Sequence, residues 1–224
     1  MPQSPAFLFD LDGTLVDSVY QHVLAWRDAL EEAGLPLAVW RIHRRIGMSG
    51  GLFVSALARE TGRVLTPEET QHMQDLHAAA FRRYAAQVRP LPGARELMSY
   101  LAQASVPYAI ATSGYGETAA PTIKQLGVGP AVPVITRDQV AHAKPDPDLF
   151  LAAAERLGVA IEHSVVVGDS IWDLLAARRA RALGVGLLSG GYGDEELQRA
   201  GAYRVYQDPA DLMAHLDELG VRQR

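Results

Sequence analysis

Ala6-Phe7-Leu8-Phe9-Asp10-Leu11-Asp12-Gly13-Thr14 is the segment of this 224-residue chain that is most informative about its fold. Its four apolar residues are halted by carboxylates and a glycine, which predicts a buried β-strand that ends in a loop. Residues two apart in an extended segment point the same way, so Asp10 and Asp12 leave one face at the strand's carboxyl end. Two carboxylates this close require a cation or a shared proton, and Mg²⁺ binds such oxygens.

An apolar run followed by polar residues recurs at 108–111, 132–135 and 165–167, and helical spacing follows at 117–126, 147–157 and 171–182. Alternating strands and helices predict an α/β fold with a doubly wound, Rossmann-like parallel sheet. Ligands of such sheets bind outside the carboxyl ends of the strands. The polar clusters of this chain all follow those ends.

Residues 16–89 interrupt this alternation. They contain helical patterns near 18–33, 51–60 and 67–87 but no convincing strand. We interpret the interval as an inserted helical cap, and residues 1–15 and 90–224 as the core. The proline- and glycine-rich segment 89–93 is the candidate hinge through which the chain returns to the core.

The composition excludes several classes of protein. A net charge of −5 gives no basic surface for nucleic acid, and the absence of cysteine excludes disulfides and a thiolate nucleophile. The amino terminus lacks a cationic segment, and no apolar run approaches the ~20 residues that span a bilayer. We therefore expect a cytoplasmic protein without a membrane partner, either a monomer or a homodimer.

Asp10-Leu11-Asp12-Gly13-Thr14 after an apolar strand resembles the first motif of the haloacid dehalogenase superfamily. Three further segments resemble the remaining motifs of that family, in its order: Thr112 after the second strand, Lys144-Pro145-Asp146-Pro147, and Gly168-Asp169-Ser170 with Asp173. The resemblance implies Mg²⁺-dependent hydrolysis of a small phosphomonoester. A non-catalytic phosphate-binding module on the same fold is a further alternative, which four intact motifs disfavour.

The resemblance also implies roles for the matched side chains. Asp10 would be the nucleophile that becomes phosphorylated, and Asp12 would protonate the leaving alcohol and then activate water. Thr112, aided by the amides of Ser113 and Gly114, would bind the transferring phosphoryl group.

Lys144 would neutralise charge on that phosphoryl group and on Asp10. Asp169 would bind Mg²⁺ together with a carboxylate oxygen of Asp10 and the backbone carbonyl of Asp12. Asp173 would hold either a metal-bound water or Lys144.

Thr14 and Ser18 have weaker signals, and we interpret them as turn or cap residues rather than as site residues.

The helical cap resembles that of the phosphoglycolate phosphatase and β-phosphoglucomutase branch, in which the cap reads the leaving group. His22 resembles a mutase histidine that governs proton transfer, although a half-buried hinge residue is the simpler interpretation. Gly50 stands where the mutases carry a phosphate-binding arginine, and Arg44 or Arg45 could take that role. Hydrolysis of a phosphoglycolate- or sugar-phosphate-like ester is therefore favoured over a phosphosugar mutase. Residues 1–87 contain no lysine for a Schiff base, which excludes a phosphonoacetaldehyde hydrolase.

Overall fold

Parallel strands form the centre of the molecule. In the computed structural model, which describes residues 5–221, the strands are β1 Ala6–Phe9, β2 Val16–Asp17, β3 Arg89–Pro90, β4 Tyr108–Ala111, β5 Val134–Ile135, β6 Ser164–Gly168, β7 Leu183–Leu187 and β8 Ala202–Tyr206. Six of them form one sheet in the order β5-β4-β1-β6-β7-β8, and all of its neighbouring pairs are parallel. The predicted α/β fold is confirmed.

Strand β1 occupies the middle of this sheet because its side chains are buried on both faces. Phe7 and Phe9 pack into the apolar cluster on one face, and Leu8 packs into the cluster on the other. Phe7 pairs with Tyr108 on one side and with Val165 on the other. The carboxyl ends of β1, β4 and β6 consequently meet at one edge, where the predicted site residues follow.

Ten α-helices complete the described chain: α1 Val19–Glu32, α2 Val39–His43, α3 Gly50–Thr61, α4 Pro67–Tyr84, α5 Ala94–Gln103, α6 Gly116–Gln125, α7 Asp148–Leu157, α8 Ile171–Ala180, α9 Asp194–Ala200 and α10 Pro209–Ala214. The long helix α4 begins at a capping box, in which Thr66 and Glu69 satisfy each other's backbone N–H groups. None of these helices combines the length and the apolar character that crossing a bilayer requires.

Helices α1 to α4 form an apolar cluster of their own, built around Trp26, Phe53 and Leu57. The chain passes between these helices and the large sheet twice, and the two passages pair as the antiparallel strands β2 and β3. The predicted hinge residues Arg89 and Pro90 therefore form a short strand. The division into a cap and a core stays a prediction. Residues 1–4 and 222–224, which the prediction assigns to the core domain, lie outside the described part of the chain.

Several elements differ from the sequence-based expectation. Strand β5 begins two residues later than the predicted strand 132–135, and helix α8 ends at Ala180 because Arg181 adopts a left-handed conformation. Helices α2, α5, α9 and α10 and strands β2, β3, β7 and β8 were not predicted. Strand β8 lies at the edge of the sheet, where four of its five residues are partly or fully exposed, so its sequence lacks the pattern of a buried strand.

Candidate active site

Three buried carboxylates converge at the carboxyl edge of the sheet. Asp10 follows β1, Asp169 follows β6, and Asp173 lies in the first turn of α8. One carboxylate oxygen from each lies within 4.8 Å of the others, and all three residues are buried. This is a set of hard oxygen donors of the kind that Mg²⁺ prefers.

Lys144 is the cation within this carboxylate cluster, and it is fully buried. Its ammonium group donates to Oδ1 of Asp10 and lies 2.8 Å from Oδ1 of Asp173. Burial acts to lower the pKa of Lys144, but the charges of Asp10 and Asp173 outweigh it and raise the pKa above its ordinary value. Lys144 therefore stays charged across the physiological pH range.

Asp173 is held by two further hydrogen bonds. Its Oδ2 accepts from the backbone N–H of Ser170 at 3.1 Å and from the Ser170 hydroxyl at 2.5 Å, while Oδ1 faces Lys144. Of the two roles expected for Asp173, contact with Lys144 is the one that this geometry supports.

The carboxylate cluster carries more negative charge than Lys144 neutralises. Burial, together with the neighbouring carboxylates Asp173 and Asp12, raises the pKa of Asp10 to about 7 although Lys144 opposes the shift. Burial and the same kind of repulsion from Asp173 and Asp10 raise the pKa of Asp169 well above its usual range. A divalent cation between Asp10 and Asp169 would remove this repulsion, so the residues present fit Mg²⁺.

Asp12 has different surroundings from Asp10, although only Leu11 separates the two. Its Oδ1 accepts a hydrogen bond from the Ser18 hydroxyl at 2.6 Å and lies 3.2 Å from Nε2 of His22. Burial acts to raise the pKa of Asp12, but His22 and the Ser18 hydrogen bond lower it to about 2. The Asp12 side chain is outside the carboxylate cluster, and metal binding through its backbone carbonyl stays a prediction.

Thr112, at the end of β4, lies beside Asp12, and its predicted binding of a phosphoryl group stays a prediction. Its hydroxyl lies 3.4 Å from Oδ2 of Asp12, to which it donates, and accepts from the backbone N–H of Gly114 at 2.9 Å. Ser113 donates its hydroxyl to the carbonyl of Gly47, on the loop that precedes α3. The Gly114 amide thus serves Thr112 here, and its expected contact with a phosphoryl group stays a prediction.

Thr14 and Ser18 belong to the site, in contrast to our interpretation of them as turn or cap residues. The Thr14 hydroxyl lies 2.9 Å from Oδ1 of Asp169 and 3.5 Å from Oδ2 of Asp10. Ser18 is at the amino end of α1, but its side chain makes no capping hydrogen bond and binds Asp12 instead. Their hydroxyls shortly after the first motif were the available signal.

His77 of α4 is a site residue that sequence reasoning missed. Its Nε2 lies 3.2 Å from Nδ1 of His22, so the chain of contacts continues from Asp12 through His22 into the cap helices. Trp26 stacks on His77 and Phe81 stacks on His22. Burial and the neighbouring His22 lower the pKa of His77 well below its usual value, which leaves His77 neutral.

Arg45 lies at the edge of the site but is committed to other partners. Its guanidinium forms an ion pair with Glu60 and donates to the carbonyl of Arg41 at 2.7 Å. The neighbouring Arg44 pairs with Glu196 instead. A second phosphate would have to displace Glu60 from Arg45, so the predicted substrate-binding role of Arg45 gains no support from its contacts.

The loop after β7 faces the carboxylate cluster, a position that the sequence left open. Ser189 donates its hydroxyl to the carbonyl of Gly13 at 2.6 Å, which ties this loop to the first motif. Gly190 packs against Asp169 so closely that a Cβ atom would lie 2.5 Å from the Asp169 carboxyl carbon. From the cap helices, His43 lies 2.9 Å from the Gly190 carbonyl.

A cavity of about 610 Å³ opens directly onto these residues. Asp10, Asp12, Thr112 and Lys144 line its floor, and helix α4 lines its opposite wall. The cavity is large enough for a phosphoryl group and the organic part of an ester. The arrangement therefore places two aspartate carboxylates, a threonine hydroxyl and a fixed ammonium group around one space.

Comparison with known proteins agrees with this geometry. Residues 5–181 match the family model of the haloacid dehalogenase-like hydrolases. A crystal structure of a hydrolase from Pseudomonas syringae superimposes with a TM-score of 0.93 at 54% sequence identity, covering 96% of this chain and 99% of that one.

Two curated relatives carry phosphatase names. The phosphoglycolate phosphatase of Agrobacterium fabrum is 34% identical over 197 residues, which cover 84% of this chain and 82% of the relative. Hexitol phosphatase A of Escherichia coli is 33% identical over 176 residues, which cover 78% of each chain. The predicted resemblance is confirmed, and the chain belongs to the haloacid dehalogenase-like hydrolases.

Proposed function

We propose that this protein is a Mg²⁺-dependent phosphatase that hydrolyses a small phosphomonoester through a phospho-aspartate on Asp10. The observation that carries the proposal is the contrast between Asp10 and Asp12. Asp10 is buried against Lys144 within the carboxylate cluster, whereas Asp12 faces the cavity and is bound by Ser18 and His22. The phosphatase names of the relatives from Agrobacterium fabrum and Escherichia coli support the same reaction.

Asp10 suits the role of nucleophile because Lys144 engages one of its carboxylate oxygens and leaves the other available. Oδ1 is held by Lys144, and Oδ2 accepts only a long contact of 3.5 Å from Thr14. Oδ2 is thus the oxygen with capacity to attack phosphorus. Bound Mg²⁺ would neutralise charge on the phosphoryl group, and Lys144 would neutralise charge on it from another side.

Asp12 suits the proton transfers of both half-reactions. Its low pKa makes it a carboxylate in the free protein, ready to accept a proton from water. A bound phosphate dianion raises the pKa of Asp12, since a like charge disfavours the ionised form, and this lets Asp12 carry the proton that the leaving alcohol needs. His22, hydrogen-bonded to the same oxygen, keeps the carboxylate oriented toward the cavity.

The mutase alternative lacks an equivalent observation. A mutase must grip a second phosphate, and Arg45 is engaged by Glu60 while Arg44 is engaged by Glu196. The β-phosphoglucomutase of Clostridium difficile is a structural neighbour at 20% identity, a level at which only the fold is shared. Hydrolysis is accordingly the function that the site supports best.

The test compares Asp10→Asn with the wild type and with Asp217→Asn, a matched change at an exposed aspartate far along the chain. Phosphate release from p-nitrophenyl phosphate is measured with Mg²⁺ and with EDTA, and acid-quenched samples are analysed for a phosphoryl adduct on the peptide that contains Asp10. We expect Mg²⁺-dependent release and an adduct in the wild type and in Asp217→Asn, and neither in Asp10→Asn. Retained turnover in Asp10→Asn would refute the assignment of the nucleophile.

A further inference from the structure

The side chains that line the cavity beside Asp10 and Asp12 limit which leaving groups can bind there. One face of helix α4 forms its wall, through residues spaced three and four apart: Gln71, Gln74, Asp75, Ala78 and Arg82. The opposite wall belongs to the segment that begins α6, with Tyr115, Glu117 and Thr118. The side chains that a leaving group meets are therefore polar and come mainly from two helices.

The two walls of the cavity are already in contact, so the cavity volume is that of a closed arrangement. Tyr115 donates its hydroxyl to Oε1 of Gln74 at 3.4 Å, which joins the two walls. The Ser49 amide donates to the carbonyl of Lys144 at 3.4 Å, which joins the start of α3 to the segment before α7. A two-carbon acid phosphate would leave most of the space of about 610 Å³ empty, whereas a longer chain or a ring would fill more of it.

The chemistry of the walls matches hydroxyl groups. Gln71 donates its side-chain amide to Oδ1 of Asp75 at 2.9 Å, and Gln74 accepts from Tyr115. The amide oxygen of Gln71, the amide N–H groups of Gln74 and the second carboxylate oxygen of Asp75 then have capacity for substrate hydroxyls. Trp26 and Phe81 add apolar ring surface to the lining of the cavity. Such a combination of side chains can bind a leaving group that presents alternating hydroxyl groups and C–H faces.

The charges of the walls disfavour a second anion. Asp75, Glu117 and Asp138 line the cavity, and against them stand two arginines. Arg45 is paired with Glu60, and Arg82 is exposed to solvent at the rim. A carboxylate or a second phosphate in the leaving group would meet these three carboxylates and, apart from the paired Arg45, one arginine. Because Asp75, Glu117, Asp138 and Arg82 are all exposed, solvent weakens the repulsion and the attraction alike, and the excess of carboxylates remains.

Building on the proposed function, we propose that the leaving group is an uncharged polyhydroxylated chain or ring, as in the phosphate of a sugar alcohol or a sugar. Gln71, Gln74 and Asp75 on α4 are its specificity-determining residues, because they hydrogen-bond hydroxyls away from the phosphoryl group. Discrimination against the acidic two-carbon substrate then comes from lost hydrogen bonds and from repulsion by Asp75.

The first experiment measures kcat/KM with Mg²⁺ for D-sorbitol 6-phosphate, glucose 6-phosphate, phosphoglycolate and p-nitrophenyl phosphate. We expect kcat/KM for at least one of the two polyhydroxylated esters to exceed that for phosphoglycolate by about tenfold or more, the effect of one or two hydrogen bonds. Equal or better hydrolysis of phosphoglycolate overturns this inference and leaves the phosphatase intact. No Mg²⁺-dependent hydrolysis of any ester, p-nitrophenyl phosphate included, overturns the proposed function itself.

The second experiment assigns the discrimination to α4. Gln74→Ala and Asp75→Asn are compared with Gln103→Ala, a matched change at an exposed glutamine of α5 outside the cavity, and thermal unfolding checks that each variant is folded. We expect the ratio of kcat/KM for the better polyhydroxylated ester to that for p-nitrophenyl phosphate to fall about tenfold in the two α4 variants and to hold in Gln103→Ala. Unchanged ratios in both α4 variants refute the role given to these residues.

Discussion

Gly190→Ala tests the predicted metal site without replacing any of its carboxylate residues. Gly190 adopts a backbone conformation outside the left-handed region, so alanine introduces no backbone strain and the substitution probes space alone. The added Cβ would lie 2.5 Å from the Asp169 carboxyl carbon and 2.7 Å from its Cβ. The Asp169 side chain must therefore move.

The size of that movement follows from the contact distances. Ordinary van der Waals contact begins at 3.4 Å, so the Asp169 carboxyl carbon must retreat by at least about 0.9 Å, which is 3.4 minus 2.5, and Oδ2 of Asp169, which lies nearer still to the added Cβ, must move farther. Metal–ligand distances tolerate deviations of only about 0.2 Å. Asp169 would also leave the hydroxyl of Thr14, now 2.9 Å away. We expect Mg²⁺ affinity to fall by about 100-fold or more, since changes that merely reorient ligands already cost 10–100-fold.

The assay is a Mg²⁺ titration of p-nitrophenyl phosphate hydrolysis, together with calorimetric Mg²⁺ binding in the absence of substrate. Gly51→Ala is the matched control, because a Cβ there meets nothing within 4 Å and its position in α3 gains up to about 1 kcal/mol from the better helix former. We expect Gly51→Ala to bind Mg²⁺ like the wild type. Wild-type Mg²⁺ affinity in Gly190→Ala would refute the reasoning that Asp169 holds the metal at its present position.

Three further predictions concern Lys144, His77 and Asp12. Lys144→Met should lower the free energy of unfolding in EDTA by about 3–5 kcal/mol, because the buried Asp10 and Asp173 lose their cation. Urea denaturation measures this change, and an unaltered midpoint would contradict it. His77, which faces His22 and lies near Asp12, stays neutral in the folded protein, so protons bind the unfolded chain preferentially below about pH 6.5. The free energy of unfolding of the wild type should therefore fall as pH decreases below 6.5, by up to about 1.4 kcal/mol per pH unit. His77→Gln should show a shallower dependence of this free energy on pH. Identical slopes for the two proteins in urea titrations would argue against a neutral, buried His77. Asp12→Asn should reduce kcat by about 10²–10⁴ on alkyl phosphates and by less on p-nitrophenyl phosphate, whose leaving group needs no proton, and an equal loss on both would count against an acid role.

The carboxyl edge of the sheet was predictable because local patterns specify it. The buried strand β1 and the two carboxylates after it follow from a single short stretch, and strands of a parallel sheet all end at the same edge. The relation of Asp10 to Lys144 and Asp169 could thus be expected from positions that lie more than a hundred residues apart in the chain.

The hydroxyls of Thr14 and Ser18 were misread because a serine or threonine near a helix start usually caps the helix. Thr14 contacts Asp169, which lies 155 positions away, and no local pattern carries that pairing. The same limit applies to Arg45, whose proximity to the site was expected but whose pairing with Glu60 depends on how α2 and α3 pack.

The class of fold, the residues at the sheet edge and the family were predictable from the sequence, because hydrophobic period and four short motifs encode them locally. The packing of the helices, which no local pattern encodes, selects the face of α4 that lines the cavity with His77, Gln74 and Asp75. Every turn of a helix offers several polar side chains, and the packing of α4 on α1 and α3 selects among them. Local patterns therefore specify the reaction, whereas long-range packing specifies the substrate-facing surface.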